Sequence, residues 1–435
     1  MRRLKRYICL VGLLALLAAA LTGCGFSDDS VEELFTLPRM AEEYTGLTQE
    51  LEALITQGYE YASPTGGRNI QSVQMADLDG DGQQEALAFF RMSSDEKPLK
   101  IFVFKIEGDS YARYCTIESS GTAIDSVYYQ DLNGDGRREL IVGWRISAEV
   151  QTVAVYTVAR EPVALMSSGY TRFTIQDLNG DGIPSLLVLR TDADSQPVAE
   201  FYGWQDEQMG VAYRCVLSST MASVNRGSLV SGRLDADTPA LYITGVDEQG
   251  MAATDILVFR QDLGLVNLAL SGSSTGVSNA VFPYRQLLPQ DINGDGIIEL
   301  PSPDTSWTAE QTDGLVSWLC CNGDGQLATV AKTYHSLSCG WYFTIPESWW
   351  DWSVETATTS ISNENQFSLA INGDPVLSLY TITGENRENR GRMGKRVLLR
   401  RQTSTIYAGE LNDAAAYYGM DEDLLRRSFS PVSYT

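Results

Sequence analysis

The sequence predicts a mainly β protein: a β-propeller of about five four-stranded units, followed by a smaller α+β domain. Two observations carry this. First, an acidic loop recurs: DLDGDGQQE from Asp77, DLNGDGRRE from Asp131, DLNGDGIPS from Asp177 and DINGDGIIE from Asp291. A worn copy, RLDADTPAL, starts at Arg233, so successive starts lie 54, 46, 56 and 58 residues apart. Second, the same pattern surrounds each copy. An alternating run precedes the loop (SVQMA, SVYYQ, RFTIQ, YRQLLPQ), and an apolar, β-rich run follows it (ALAFF, LIVGW, LLVLR, ALYITG). Two further β-prone runs complete the unit, as LKIFVFKI and YARYCTIES do in the first. A small twisted sheet cannot cover both its faces, and stacking successive sheets does so.

Residues 1–23 read as a segment that is removed. Arg2, Arg3, Lys5 and Arg6 precede the apolar run YICLVGLLALLAAAL, which is too short and one-sided for a settled membrane span. It ends in LTGC, Leu21 to Cys24. This resembles the lipobox of bacterial lipoproteins. The resemblance implies that Cys24 is the mature N-terminus, bears diacylglycerol on its sulfur, and anchors the chain at the extracytoplasmic face of the cell membrane. Residues 24–65 are expected to hold this cysteine, the polar spacer GFSDDS and a helical segment. In that segment Leu47, Leu51, Leu54 and Ile55 share a face, Pro38 divides the run, and Gly58 stops it. The repeats occupy 66–338, and the α+β domain takes 339–435.

The chain carries a net charge of −24, and loss of the four basic residues before the lipobox leaves it near −28. Such a surface repels nucleic acid and favours bound cations, so nucleic-acid binding is excluded. Cys115, Cys215, Cys320, Cys321 and Cys339 remain after the leader, with no metal-binding spacing. Buried reduced thiols are the expectation; a bridge from Cys339 to Cys320 or Cys321 stays open. The single histidine, His335, reads as structural because nothing places a nucleophile beside it.

The loops and their β setting resemble the FG-GAP/VCBS repeats of integrin-alpha-type propellers over roughly 270 residues. A DxDxDGxxE loop supplies hard oxygen ligands compactly, as calcium requires. Side chains at positions one, three, five and nine and the carbonyl at seven form the set, and glycine at six makes the turn. The first loop offers Asp77, Asp79, Asp81, the Gln83 carbonyl and Glu85. The second offers Asp131, Asn133, Asp135, the Arg137 carbonyl and Glu139. The fifth offers Asp291, Asn293, Asp295, the Ile297 carbonyl and Glu299. The third, Asp177, Asn179, Asp181 and the Ile183 carbonyl, ends in Ser185 and is weaker for want of a carboxylate. Arg233 at position one of the worn copy substitutes its own charge for an ion. About three to four calcium sites are thus expected. An EF-hand is excluded, because position twelve is Ala88, Val142, Val188 or Ser302, each in or just after a β-patterned run. CNGDGQL at 321–327 reads as a tight hairpin turn.

After Ser338 the acidic repeat stops. The order CGWYFTIPESWWDWSVE, SISNENQFSLAI, PVLSLYTITG, KRVLLRRQTSTIYAGEL and a helical NDAAAYYGMDEDLLRRSF faintly resembles PsbP-like domains. Trp341, Trp349, Trp350 and Trp352 are expected in a core and domain interface rather than on a sugar-stacking platform. The basic RENRGRMGKRVLLRR is expected either to dock on the acidic repeats or to meet anionic wall polymers. The propeller resemblance implies recognition without catalysis: a calcium-stabilised, lipid-anchored protein binding an envelope protein or glycan. The rival readings are a polysaccharide-acting enzyme with a carboxylate pair and a structural assembly factor of a membrane complex.

Overall fold

The computed structural model describes residues 44–108, 110–246, 252–269, 281–282, 287–303 and 313–432. The expectations for residues 1–43, including the leader, the Cys24 anchor and the Pro38 break, lie outside this range. Helix α1 (Thr45–Thr56) opens the described chain. Sheet one holds β1 (Glu60–Tyr61), β2 (Val73–Ala76), β3 (Glu85–Arg91), β4 (Leu99–Glu107) and β5 (Ser110–Ser119). Sheet two holds β6 (Ala123–Gln130), β7 (Glu139–Arg145), β8 (Gln151–Tyr156) and β9 (Ala164–Gly169). Sheet three holds β10 (Arg172–Gln176), β11 (Ser185–Thr191), β12 (Pro197–Gln205) and β13 (Gln208–Val216).

A short helix, α2 (Met221–Val224), leads into sheet four. That sheet holds β14 (Ser228–Arg233), β15 (Pro239–Val246), β16 (Ala252–Arg260) and β17 (Gly264–Asn267), with β18 (Val281–Phe282) also on β16. Sheet five begins with β19 (Leu300–Pro303), β20 (Asp313–Cys321), β21 (Leu327–Ser336) and β22 (Trp341–Thr344). Every pairing is antiparallel. Of the strand expected ahead of the fifth loop only residues 287–290 are described, and these make one bridge, Gln290 to Glu299. Pro289 lacks the N–H that a ladder needs there.

Period-two alternation in the inner strands decides what touches what. On β7, Leu140, Val142 and Trp144 face sheet one with Leu87, Phe89 and Ile101, while Ile141 faces Leu186 and Val188 of sheet three. On β11 the other face, Leu187 and Leu189, meets Leu241, Ile243 and Leu257 of sheet four. On β15, Ala240 and Tyr242 turn to Leu300 and Cys321 of sheet five. Sheets two, three and four are therefore apolar on both faces, each covered by its predecessor and successor.

At one end of this series the free face of sheet one, Ala86, Ala88, Phe90, Phe102 and Phe104, is covered by Leu47, Leu51 and Leu54 of α1. Ile55, expected on that face, points outward at 47% exposure. At the other end Val316, Trp318 and Ala331 pack with Leu287. Among the described residues no apolar cluster joins sheet one to sheet five.

The C-terminal sheet has the order β23 (Val354–Ile361), β24 (Glu364–Ile371), β25 (Asp374–Thr383), β27 (Thr405–Leu411), β26 (Val397–Arg401). Two helices accompany it, α3 (Arg387–Arg390) and α4 (Glu422–Ser428). The expected division at 338/339 runs through the turn between β21 and β22, which pair from Thr333–Thr344 to Ser336–Trp341. The last strand, β28 (Phe429–Pro431), returns to pair with β22. Tyr334, Trp341 and Phe343 of sheet five then share a core with Phe367, Leu379 and Leu425 of the C-terminal part.

The long C-terminal helix expected from Asn412 is reduced to α4. Gly419 at φ +74 interrupts it, and Asp421 caps the remainder by accepting from Leu424 N–H at 2.7 Å. Among the described residues the ion pairs of the basic run stay within the C-terminal part: Arg390 and Arg396 pair with Glu364, and Arg401 pairs with Glu388. All five described cysteines are free, so the open Cys339 bridge is not formed. Burial pushes the Cys115 thiol up to about 12 and Cys321 to about 11, which leaves both unreactive.

Candidate metal centre

The first acidic loop joins β2 to β3, the second β6 to β7, the third β10 to β11 and the worn copy β14 to β15, while the fifth runs from the Gln290–Glu299 bridge into β19; each is folded by its own backbone. The position-one aspartate accepts from the two glycines that follow. Asp131 takes Gly134 N–H at 2.6 Å and Gly136 N–H at 2.8 Å; Asp77, Asp177 and Asp291 repeat this. Both glycines lie at positive φ in every copy, a conformation costly for a residue with Cβ. The position-five aspartates, Asp81, Asp135, Asp181 and Asp295, accept from the N–H of Gln83, Arg137, Ile183 and Ile297.

Position nine closes the loop differently. Glu85, Glu139 and Glu299 are buried and accept from the N–H of Leu78, Leu132 and Ile292 at 2.7, 2.9 and 3.0 Å. Burial raises the pKa of all three, with nearby loop aspartates adding to the effect; Glu299 reaches about 7. Ser185 in the third loop brings no such charge.

Among the described residues one loop gathers three carboxylates with ligand oxygens within 4.8 Å: Asp77, Asp79 and Glu85. That loop already holds a cation. Lys105 of β4 pairs with Asp79 and sits 3.8 Å from Glu85, lowering the Asp79 carboxyl pKa. The loop pattern gives no sign of this lysine, which enters from the neighbouring hairpin. In the other loops the asparagine at position three turns its amide N–H onto the position-five carboxylate. Asn133 to Asp135 is 3.2 Å, Asn179 to Asp181 is 2.7 Å and Asn293 to Asp295 is 2.9 Å. These amides stand where the first loop has the Asp79 carboxylate.

In the worn loop the Arg233 guanidinium donates to the Ala236 carbonyl, and Asp235 accepts from Asp237 and Thr238 N–H. At 322–326, Asn322 accepts from Asp324 and Gln326 N–H and closes the β20–β21 hairpin. Ala88, Val142, Val188 and Ser302 all lie in strands, as the exclusion of an EF-hand requires.

The loops touch one another. Arg138 N–H of the second loop donates to the Leu78 carbonyl of the first at 2.7 Å, and Ile298 N–H of the fifth to the Arg233 carbonyl of the worn copy at 3.1 Å, while Trp204 of β12 reaches the Leu132 carbonyl of the second loop with its Nε1–H at 2.7 Å. Beside the first two loops opens a cleft of about 640 Å³, lined by Asn133, Asp135, Arg137, Glu161, Trp204 and Glu207. Gly80 shows how tight the contact is: a Cβ there would lie 2.5 Å from the Gly136 carbonyl oxygen, at φ +75. Gly80→Ala is therefore expected to lower stability by about 2 kcal/mol. Gly82→Ala, strained in φ but with open space around it, should cost about half as much. Urea midpoints of the two variants test this, and equal losses would show that the loops do not touch.

No protein-family model and no curated protein matches the chain. Among solved structures it is similar to a Bacillus licheniformis rhamnogalacturonan lyase, PL11, at 15% identity and a TM-score of 0.35. The likeness covers 80% of this chain and 72% of that one. At that level it carries no argument about fold or chemistry. The mainly β architecture rests on the sheets themselves.

Proposed function

We propose that this chain is a non-catalytic protein, lipid-anchored at the extracytoplasmic face of the cell membrane, which recognises an envelope protein or glycan through a calcium-stapled β-propeller of the FG-GAP/VCBS kind. The observation that supports it most is the recurrence of one loop geometry in register on successive sheets. Each copy offers only hard oxygen donors around a turn fixed by glycine N–H groups. Buried Glu139 and Glu299 want a positive neighbour, and calcium supplies the charge that neutralises them. Asp131, Asn133, Asp135, Glu139 and the Arg137 carbonyl would hold one ion; Asp291, Asn293, Asp295, Glu299 and the Ile297 carbonyl a second. Asp177, Asn179, Asp181 and the Ile183 carbonyl form a weaker third site. The first loop takes a fourth ion only when Lys105 swings away, so it competes with its own lysine. The loop carboxylates are tied to their own turns, an arrangement suited to holding a strand junction rather than moving a proton.

Extracellular modules of this sort bind calcium with dissociation constants of about 10⁻⁴ to 10⁻³ M. At the tighter end, 1 mM calcium stabilises the fold by about 1.4 kcal/mol per site. Calorimetric titration of the stripped protein should show two strong sites and lose one in Asp135→Ala. Lys105→Met should gain one. A melting curve that chelator and excess calcium leave unchanged overturns the metal assignment.

A further inference from the structure

The chain between β22 and β23 carries three of the eight tryptophans within four residues. Trp349 is fully buried and donates its indole N–H to the Tyr418 carbonyl at 2.9 Å. Trp350 is half-buried, held by a bond to the Ile345 carbonyl at 3.2 Å. Trp352 is 39% exposed and is braced edge-on by Tyr418 at 5.2 Å. Together they wall a groove of about 370 Å³ against sheet five. This lies within the roughly 300–1,000 Å³ of small-molecule sites.

The opposite wall adds Ser302, Ser317 and Lys332. The Lys332 ammonium lies 5.4 Å from the centre of the Trp350 ring and donates to the Trp350 carbonyl at 3.4 Å. Lys100, Lys105 and Lys395 all pair with carboxylates; among the described residues Lys332 makes no ion pair. Among the described residues no aspartate or glutamate lines the groove, although the chain carries a net charge of −24. Ring faces, two hydroxyls and one unneutralised ammonium define the chemistry. The apolar face of a pyranose stacks on indole, its hydroxyls exchange hydrogen bonds with serines, and a carboxylate on the ring meets the lysine.

We propose that this groove binds a carboxylated sugar, a hexuronate residue of an acidic polysaccharide. This rests on the reading of the protein as an envelope-binding module and names one ligand class and its place. Trp352 is the stacking face, Lys332 selects the acid, and Trp350 holds the lysine in position by its carbonyl and ring. A neutral sugar leaves the ammonium unpaired and binds more weakly.

The test uses the full chain in calcium and a panel of galacturonate, glucuronate and mannuronate trisaccharides beside their neutral hexose counterparts, by calorimetry. At least one uronate is expected to bind at least tenfold more tightly than its neutral partner. Lys332→Gln should remove that preference, and Trp352→Ala should weaken both sugars by at least tenfold. Trp352 is exposed enough for its loss to leave the fold intact, which melting temperature and calcium stoichiometry verify. Uronate binding that both variants retain overturns the groove while leaving the wider reading standing. No uronate binding at millimolar concentration, with calcium stoichiometry as expected, also overturns the groove. Absence of calcium binding as well removes the wider reading with it.

Discussion

Asp255→Ala lowers the unfolding free energy by about 4 kcal/mol, because it strands several donors in the dry interior at once. Asp255 sits on β16 with no exposed surface. Its carboxylate accepts from Ser218 N–H at 3.0 Å, from the Ser218 hydroxyl, from Ser219 N–H at 3.3 Å and from Asn267 Nδ2–H at 2.8 Å. The two serines lie in the crossing from sheet three to sheet four, and Asn267 ends β17, so one side chain ties that crossing to two strands. Burial pushes its carboxyl pKa up, and the donors around it pull it back down. Each donor left unpaired costs about 1–3 kcal/mol, partly relieved as water enters the space left behind. Asp255→Asn keeps the shape but turns an amide N–H toward other donors, and should cost about half as much. Urea denaturation in saturating calcium measures both. A loss under about 1 kcal/mol for alanine would mean that the serines find other partners.

The second large effect is a pH dependence carried by one residue. His335, the single histidine, is 1% exposed between Trp318 and Tyr342, with ring centres 5.6 and 5.1 Å away. Among the described residues neither ring nitrogen has a hydrogen-bond partner. Burial lowers its pKa from 6.5 to about 3. Between those values the unfolded chain holds the extra proton, so the stability is present above pH 6.5 and drains away as pH falls toward 3. From pH 7 to pH 5 the native protein should lose about 2 kcal/mol relative to His335→Phe, which keeps the ring stack and cannot titrate. Glu299 works with the opposite sign: its pKa is raised from 4.5 to about 7, so its contribution is lost as pH rises through that range. Comparing the two proteins at fixed calcium isolates the imidazole. Parallel urea midpoints at both pH values would show that the ring finds solvent or a partner.

The strands that follow the loops were legible because their apolar runs are bounded by glycine turns and buried on both faces: ALAFF became β3, LIVGW β7 and LLVLR β11. The first three buried positions of α1 followed from 3.6 periodicity, whereas Ile55 lies at the edge of that stripe and faces water. What pattern does not encode is long-range pairing. Nothing local in Phe429–Pro431 distinguishes a strand that joins Trp341–Thr344 from one that joins its own neighbours. Lys105 shows the same limit in the site: the loop sequence reads as a metal ligand set, and its counter-charge arrives from a hairpin twenty residues later. The tryptophan run held both outcomes at once, with Trp341 and Trp349 in the core and Trp352 at the surface.

Helix α1 is the chain's first described element and covers the end of the series with three leucines, worth roughly 5 kcal/mol together. Tension applied from the N-terminal side therefore loads this helix before any sheet. It peels away as a unit and bares Phe90, Phe102 and Phe104 while the strands beneath stay hydrogen-bonded. A chain pulled in this way exposes aromatic surface before any strand pairing beneath it is lost.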